Sequence, residues 1–274
     1  MNYDKFELIH VEVKEQILIL TLNDPANANA MGWRHVKELK EVFRMLQDDA
    51  SVRAVIWRGE GDDFSTVLPG APIHKKLENP HPLNGLELAG ESIHQGIAYH
   101  MSMLKLLLDI PQPIVVAAQG RCTGMAANLV LCCDIIFGSE DLILNDQHVN
   151  KGMVTGDGGA VVWPLIIGPA KAKQYLLTGD SITAHEAERL GMINKVVSRE
   201  ELDQAAWDFA KRLATGATMA IRFSKHVINR MLEKELAHSW EFSDALQILT
   251  CFTEDFGEYK SAVREKRSPE FTGR

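Results

Sequence analysis

Cysteine is scarce in this chain and is badly placed for cross-links. There are four cysteines in 274 residues, Cys122, Cys132, Cys133 and Cys251, and two of them are direct neighbours. Neighbouring cysteines make poor disulfide partners, and no CxxC or Cys/His spacing typical of zinc is present. We therefore expect a reduced protein without a disulfide framework, a metal site or a bound cofactor.

Long apolar runs and basic clusters are missing as well. No apolar stretch reaches the roughly 18 residues that a membrane span needs. The first residues, "MNYDKFELIH", show no basic region followed by an apolar one, so no signal peptide is expected. The formal net charge is −8 and no basic patch is interleaved with aromatic residues. We expect a cytoplasmic protein with neither membrane nor nucleic acid as a partner.

The order of hydrophobic patterns predicts an α/β protein. Strand patterns alternate with helix patterns up to about residue 197, and residues 199–262 contain roughly three helices with almost no strand signal. We interpret residues 1–198 as an α/β core and residues 199–274 as a C-terminal helical region. No repeat, low-complexity tract or linker divides the chain further.

Two early segments have the clearest patterns. "FELIHVEVKEQILILTLND" predicts two strands with a turn near Lys14–Glu15, the second strand being buried on both faces. The next segment, "GWRHVKELKEVFRMLQDD", predicts an amphipathic helix because its apolar residues recur three and four positions apart. These apolar residues are Val36, Leu39, Val42, Phe43 and Leu46.

One glycine-dense stretch has the composition of a site. "HVNKGMVTGDGGAVVWP" runs from His148 to Pro164 and has an imidazole and a carboxylate, Asp157, on either side of its loop. The ordinary interpretations are that His148 is a surface histidine and that Asp157 caps the helix predicted at 158–166. The functional interpretation is that the two side chains act together.

Three segments together resemble the crotonase (enoyl-CoA hydratase/isomerase) superfamily. They are "PQPIVVAAQGRCTGMAANLVLCCDIIFGSE", "GMVTGDGGAVVWPLIIGPAKAKQYLLTGDSITAHEAERLGMINKVV" and the ending "REKRSPEFTG". The resemblance extends over nearly the whole chain. It implies a crotonase-like spiral of ββα units, with C-terminal helices that assemble a homotrimer or a dimer of trimers.

The resemblance also implies an oxyanion hole made of two backbone N–H groups. By the family's motifs these belong to Leu68 in "FSTVLPG" and to Met125 in "TGMAAN". Pro69 stands where the family usually has Asp, so the pattern at Leu68 is incomplete. Donors that are fixed before the reaction stabilise developing negative charge without reorganisation.

The acid/base positions depart from the hydratase pattern. Hydratases of the family have one Glu in the glycine-opened helix and another before the glycine loop, and this chain has Asn128 and His148 there. An amide exchanges no protons near neutral pH, so hydration of a double bond is not expected. His148 with Asp157 nine residues later resembles the β-diketone hydrolase branch, that of 6-oxocamphor hydrolase.

That branch resemblance implies C–C bond hydrolysis of a β-diketone, cyclic in the branch, by a retro-Claisen reaction. His148 would activate water while Asp157 orients the imidazole and stabilises its protonated form. Trp33, Asn128 and Asp244 are the candidates for substrate contact. Two alternatives stay open: an acyl-CoA enzyme with altered acid/base residues, which Lys75 and Lys76 would suit, and a non-catalytic family member.

Overall fold

The computed structural model describes residue 3, residues 5–66 and residues 102–274, except the side chain of Trp33. In that part of the chain, no helix is both long and apolar enough to cross a membrane. Its strands are β1 (Ile9–Lys14), β2 (Ile17–Leu22), β3 (Ala54–Gly59), β4 (Ile114–Ala118), β5 (Arg121–Thr123), β6 (Ile135–Ser139), β7 (Ile143–Asn145), β8 (Ile182–Thr183) and β9 (Lys195–Val197).

The helices follow the predicted order. They are α1 (Trp33–Asp48), α2 (residues 102–109), α3 (Met125–Val130), α4 (Gly159–Thr178), α5 (Ala184–Arg189), α6 (Leu202–Ala214), α7 (Thr218–Thr250) and α8 (Glu254–Glu265). The predicted α/β class is confirmed, as are the helices after residue 199. The boundary between residues 198 and 199 stays a prediction.

The strands form two sheets. The larger has the order β1-β2-β3-β4-β6-β9, with β1 antiparallel to β2 and every other pair parallel. The smaller has the order β5-β7-β8 and pairs β5 with β7 in parallel. The smaller sheet positions the predicted site residues, because β5 leads into α3 and β7 leads into the His148 loop.

The first hairpin and first helix fold as their patterns predict. The turn between β1 and β2 has positive φ at Glu15 and Gln16, 51° and 67°. Such a turn matches the twist of paired strands, although glycine would adopt it at lower cost. Strand β2 is buried on both faces apart from the half-buried Ile19, and the five predicted apolar residues of α1 are at most 1% exposed.

Helices cover both faces of the larger sheet. The main core contains the apolar face of α1, the inner side chains of β2–β4 and the buried residues of α3 and α4. On the opposite face, α6 packs through Leu202 and three alanines, Ala206, Ala210 and Ala214. Small side chains let the helix lie close to the strands. The first C-terminal helix therefore completes the core of the sheet.

Helix α7 is anchored by a buried charge. The ammonium of Lys225 donates to Oδ2 of Asp134 at 2.7 Å and to the carbonyl of Gln112 at 2.9 Å. Oδ2 of Asp134 also accepts from the backbone N–H of Ile114, at the start of β4. Removing one partner of a buried pair leaves an uncompensated charge, so this contact fixes the helix against the sheet.

We predict that α7 is an assembly surface and that the protein is a trimer or a dimer of trimers. Its exposed large apolar residues are each more than half exposed: Met219, Phe223, Val227, Ile228, Met231, Phe242 and Leu249. Leu232, which the sequence pattern groups with them, instead packs against the core. Light scattering at micromolar concentration should give three or six times the chain mass, because exposed apolar patches mark interfaces.

A matched pair of variants tests this prediction. Phe223→Glu combined with Met231→Glu should dissociate the assembly, whereas Val13→Glu, at an exposed apolar position on β1, should leave it intact. A monomeric natural protein would contradict the prediction.

Candidate functional site

The imidazole of His148 is held by the loop that follows β7. His148 precedes a 3-10 turn, Val149–Lys151, and its carbonyl accepts from the N–H groups of Lys151 and Met153. Gly152 closes the turn in the left-handed region, at φ 69°. This tight turn keeps His148 close to the end of the strand and only 8% exposed.

His148 lies between two buried carboxylates. Its Nδ1 lies 2.5 Å from Oδ1 of Asp146, and its Nε2 lies 3.6 Å from Oδ2 of Asp157. Asp146 and Asp157 are 1% and 3% exposed. A carboxylate accepts hydrogen bonds, so Nδ1 carries the hydrogen and Nε2 is the nitrogen that faces Asp157.

This geometry adds a second carboxylate, Asp146, to the predicted pair of His148 and Asp157. The contact that fixes the tautomer and the ring orientation is made by Asp146, whereas Asp157 lies beside the opposite nitrogen. Asp146 was missed by sequence reasoning, although it stands only two residues before His148. Its backbone contact explains the spacing, because Oδ1 of Asp146 also lies 3.2 Å from the N–H of His148.

The two carboxylates control the charge of the imidazole. Burial alone would lower the pKa of His148, but the charges of Asp157 and then Asp146 outweigh it and raise that pKa to about 9. For Asp146, burial would raise the pKa, yet the charge and hydrogen bond of His148 and the Asn128 amide hold it far below its usual range. The resting site near neutral pH is therefore an imidazolium between two carboxylates.

Asn128 bridges the two carboxylates. Its amide nitrogen donates to Oδ2 of Asp146 at 3.0 Å and to Oδ1 of Asp157 at 2.7 Å, and its Oδ1 accepts from the indole of Trp163 at 2.8 Å. Both amide hydrogens are used inside the protein. An amide nitrogen has only two hydrogens, so a third donor bond to a substrate has no hydrogen in this geometry, and substrate contact by Asn128 stays a prediction.

Two glycines let α4 begin against this cluster. The N-cap residue of α4 is Gly158, at φ 107°, and no side chain caps the helix there. The cap is thus one residue after Asp157, the residue proposed for it from the sequence. At Gly159, an added Cβ would lie 2.7 Å from Oδ2 of Asp146 and 2.8 Å from the amide nitrogen of Asn128.

We expect Gly159→Ala to lower activity strongly with a smaller effect on folding, because the methyl group would enter the Asn128–Asp146 hydrogen bond. Substrate turnover and the thermal unfolding midpoint would be measured together. Gly257→Ala on α8 is the matched control, since an added Cβ there meets nothing within 4 Å. Equal activity of the two variants would show that the close approach at Gly159 is unimportant.

The other predicted site residues fall in different places. Met125 is the first residue of α3, so its N–H is one of those that no carbonyl of the same helix accepts. Leu68 lies outside the described residues, as do Lys75 and Lys76. Trp33 begins α1, and its side chain is also outside the described part.

Asp244 is buried in α7, on the segment that packs over the glycine loop. The hydroxyl of Ser243 donates to the carbonyl of Thr155 at 3.4 Å, and an added Cβ at Gly156 would lie 2.5 Å from Cβ of Gln247. Asp244 itself is 2% exposed. The fold therefore brings the Asp244 segment against the loop that precedes Asp157.

The same cluster has the ligand types of a metal site. Among the described residues, Asp146, His148 and Asp157 are the group whose ligand atoms lie within 4.8 Å of one another. A metal ion there would have to share both carboxylates with the Asn128 amide and replace the hydrogen bond between Asp146 and Nδ1. The ligand types alone therefore do not distinguish a metal site from a hydrogen-bonded acid–base cluster.

Comparison with known proteins identifies relatives over nearly the full length. The sequence profile of the enoyl-CoA hydratase/isomerase family matches residues 12–274. A crotonyl-CoA hydratase of Syntrophomonas wolfei is 30% identical over 268 residues, which cover 97% of this chain and 98% of that protein.

Solved structures agree with this match. The crystal structure of an enoyl-CoA hydratase/isomerase from Mycobacterium paratuberculosis has a TM-score of 0.83 at 28% identity, covering 95% of this chain and 99% of that one. A β-diketone hydrolase from the cyanobacterium Anabaena, solved with (S)-3-oxocyclohexyl acetic acid, has a TM-score of 0.79 at 24% identity, covering 90% and 95%. At that identity the second likeness concerns the fold alone.

Proposed function

Since the chain belongs to the enoyl-CoA hydratase/isomerase family, we propose that it is a family enzyme with changed chemistry, a hydrolase that cleaves a C–C bond of a β-diketone. The observation that carries the proposal is the His148 imidazole held between Asp146 and Asp157, with the amide of Asn128 at the other hydratase glutamate position. An imidazole with a lone pair at Nε2 can activate water for attack on a carbonyl.

The proposed reaction balances without a cofactor. Nε2 of His148 takes a proton from water as the water oxygen bonds to one ketone carbon, giving a tetrahedral alkoxide. The alkoxide collapses to a carboxylic acid and breaks the C–C bond, and the bonding electron pair becomes an enolate on the second carbonyl. The imidazolium then gives its proton to the enolate carbon. The second carbonyl is required because an unstabilised carbanion would be too poor a leaving group.

The protein groups divide the work in this proposal. Asp146 holds the tautomer with hydrogen on Nδ1, which leaves Nε2 available, and Asp157 stabilises the imidazolium once it has formed. The backbone N–H groups of Met125 and Leu68 are proposed to hold the anionic oxygens, Met125 by its position at the start of α3. Trp33 and Asp244 remain proposed substrate contacts.

Incubation with a bicyclic 1,3-diketone tests the function directly. Loss of diketone absorbance with release of one carboxylic acid per turnover would support it, and EDTA should leave the rate unchanged. An inert diketone together with fast turnover of crotonyl-CoA would contradict it. The latter outcome would favour the second candidate, an acyl-CoA enzyme, which the 30% identity to a crotonyl-CoA hydratase makes the natural alternative.

The value of kcat/KM is expected to rise towards alkaline pH and to level off above about pH 9. With the pKa of His148 at about 9, roughly one imidazole in a hundred is neutral at pH 7. Asp157→Asn removes the charge beside Nε2, so the pKa should fall and the rise should move about 1–3 units to lower pH. The plateau rate should fall as well, because the imidazolium loses its partner.

Asp146→Asn is the companion variant. It should also move the rise to lower pH, but it additionally removes the acceptor that fixes Nδ1, so its plateau should be the lower of the two. If the pH profiles of both variants coincide with that of the natural protein, His148 is not the titrating base.

A further inference from the structure

We propose that Asn128 and Trp163 are positioning residues that hold Asp146 and Asp157 on opposite sides of His148 and thereby set the protonation of the imidazole. The inference rests on the proposed function of that site. The inference starts from the balance of charge, because one buried imidazolium faces two buried carboxylates. The cluster of three side chains therefore carries an excess negative charge that needs additional hydrogen-bond donors.

Asn128 supplies those donors at one point. Its amide nitrogen donates to Oδ2 of Asp146 and to Oδ1 of Asp157, the oxygens other than those nearest the imidazole. Each carboxylate thus has one oxygen towards His148 and one towards the amide. The bridge ties the two acids together at a fixed separation, and it does so without adding charge.

Trp163 determines which way the amide faces. A reversed amide would direct its oxygen at two carboxylates, and the indole N–H would then meet an NH₂ group instead of an acceptor. With the amide as observed, the indole donates to Oδ1 at 2.8 Å, and both side chains are fully buried. Trp163 lies on α4, which begins against the same cluster, so the whole bridge is set by packing of α3 against α4.

A carboxylate at position 128 would remove both amide donors and add a negative charge. Three acids would then face one imidazolium with no amide donor between them, so the added negative charge would favour the protonated imidazole still more. Two other charged groups lie on the elements around this loop. Lys151, on the turn that follows His148, opposes the imidazolium by its own charge, and Asp244 on α7 is a further acid over the loop. The amide is therefore what allows two carboxylates to flank His148.

Titration of the His148 imidazole by NMR tests the proposal without substrate. The natural protein has ten histidines, and the signal absent in His148→Gln identifies this one. Asn128→Asp should raise the imidazole pKa by about 1–3 units, because it replaces a donor with a charge. Trp163→Phe should raise it less, since the amide remains but is no longer fixed.

Trp57→Phe is the matched control. Trp57 is as deeply buried as Trp163, and its indole N–H has no hydrogen-bond partner among the described residues. The control should leave the titration of His148 unchanged. A Trp57→Phe shift equal to that of Trp163→Phe would overturn the proposal, because general loosening of the core would then explain both.

The remaining outcomes are also decisive. An unchanged titration in folded Asn128→Asp and Trp163→Phe would overturn the proposal, and if Asn128→Asp does not fold, Trp163→Phe decides alone. In kinetics, the alkaline rise of kcat/KM should move with the NMR value while KM changes little. If the titration shifts but no diketone is cleaved, the positioning role stands and the proposed function falls.

Discussion

Replacement of His148 by alanine should reduce turnover of a β-diketone by about 10²–10⁴-fold, the usual effect of losing a general base. In the proposed reaction His148 is both the group that takes the proton from water and the group that returns it to carbon. Asp146 and Asp157 would remain, but neither is placed at both steps. The measurement is the steady-state rate with saturating diketone at the pH of the plateau.

The control for this variant is His185→Ala. His185 is an exposed residue of α5, so its loss should change neither the rate nor the fold. Circular dichroism and thermal unfolding would establish that His148→Ala is folded, which matters because a buried imidazolium is removed from between two acids. Full activity in the folded variant would end the retro-Claisen proposal.

Hydration of crotonyl-CoA by the natural protein should be negligible, far below the roughly 1–10³ s⁻¹ that is ordinary for enzymes. Hydration needs one group to activate water and another to protonate the α-carbon. His148 is present at one of the two positions, whereas Asn128 has no proton to give near neutral pH and has both amide hydrogens bound to carboxylates. The assay is loss of enoyl absorbance.

Introducing glutamate at positions 128 and 148, the two hydratase glutamate positions, tests the same prediction by a gain of activity. Asn128→Glu with His148→Glu alone would gather four acids in one buried site, because Asp146 and Asp157 remain. We therefore expect a trace of hydration only when Asp146→Asn and Asp157→Asn are added. Ordinary hydratase rates in the unmodified protein would instead promote the acyl-CoA alternative.

Much of the fold was predictable because its main elements have strong local patterns. The stripe of α1 and the apolar run of β2 specify both the element and its buried face. The short strands β5, β8 and β9 were not predicted. A strand of two or three residues is too short to show a hydrophobic alternation. Its geometry comes from pairing with distant segments.

The site was predictable only in part. The resemblance singled out His148 and Asp157, and the fold brings them together. Asp146 could not be distinguished from an ordinary strand-end aspartate, because its role depends on which nitrogen of His148 it meets. The hydrogen bonds of Asn128 inside the protein could not be predicted either, because they depend on Trp163, 35 residues later, lying on the neighbouring helix.

Because the imidazolium lies between two carboxylates, the protonation state that stabilises the native protein is the opposite of the one that the proposed reaction needs. Folding raises the pKa of His148 from 6.5 to about 9, so protonation favours the native state. That contribution is fully present below pH 6.5 and is lost as pH rises through about 9. The proposed reaction needs the opposite, a neutral imidazole, which becomes abundant only as that contribution disappears. The contribution of His148 to the free energy of unfolding is therefore largest at the pH values where the smallest fraction of its imidazole is neutral.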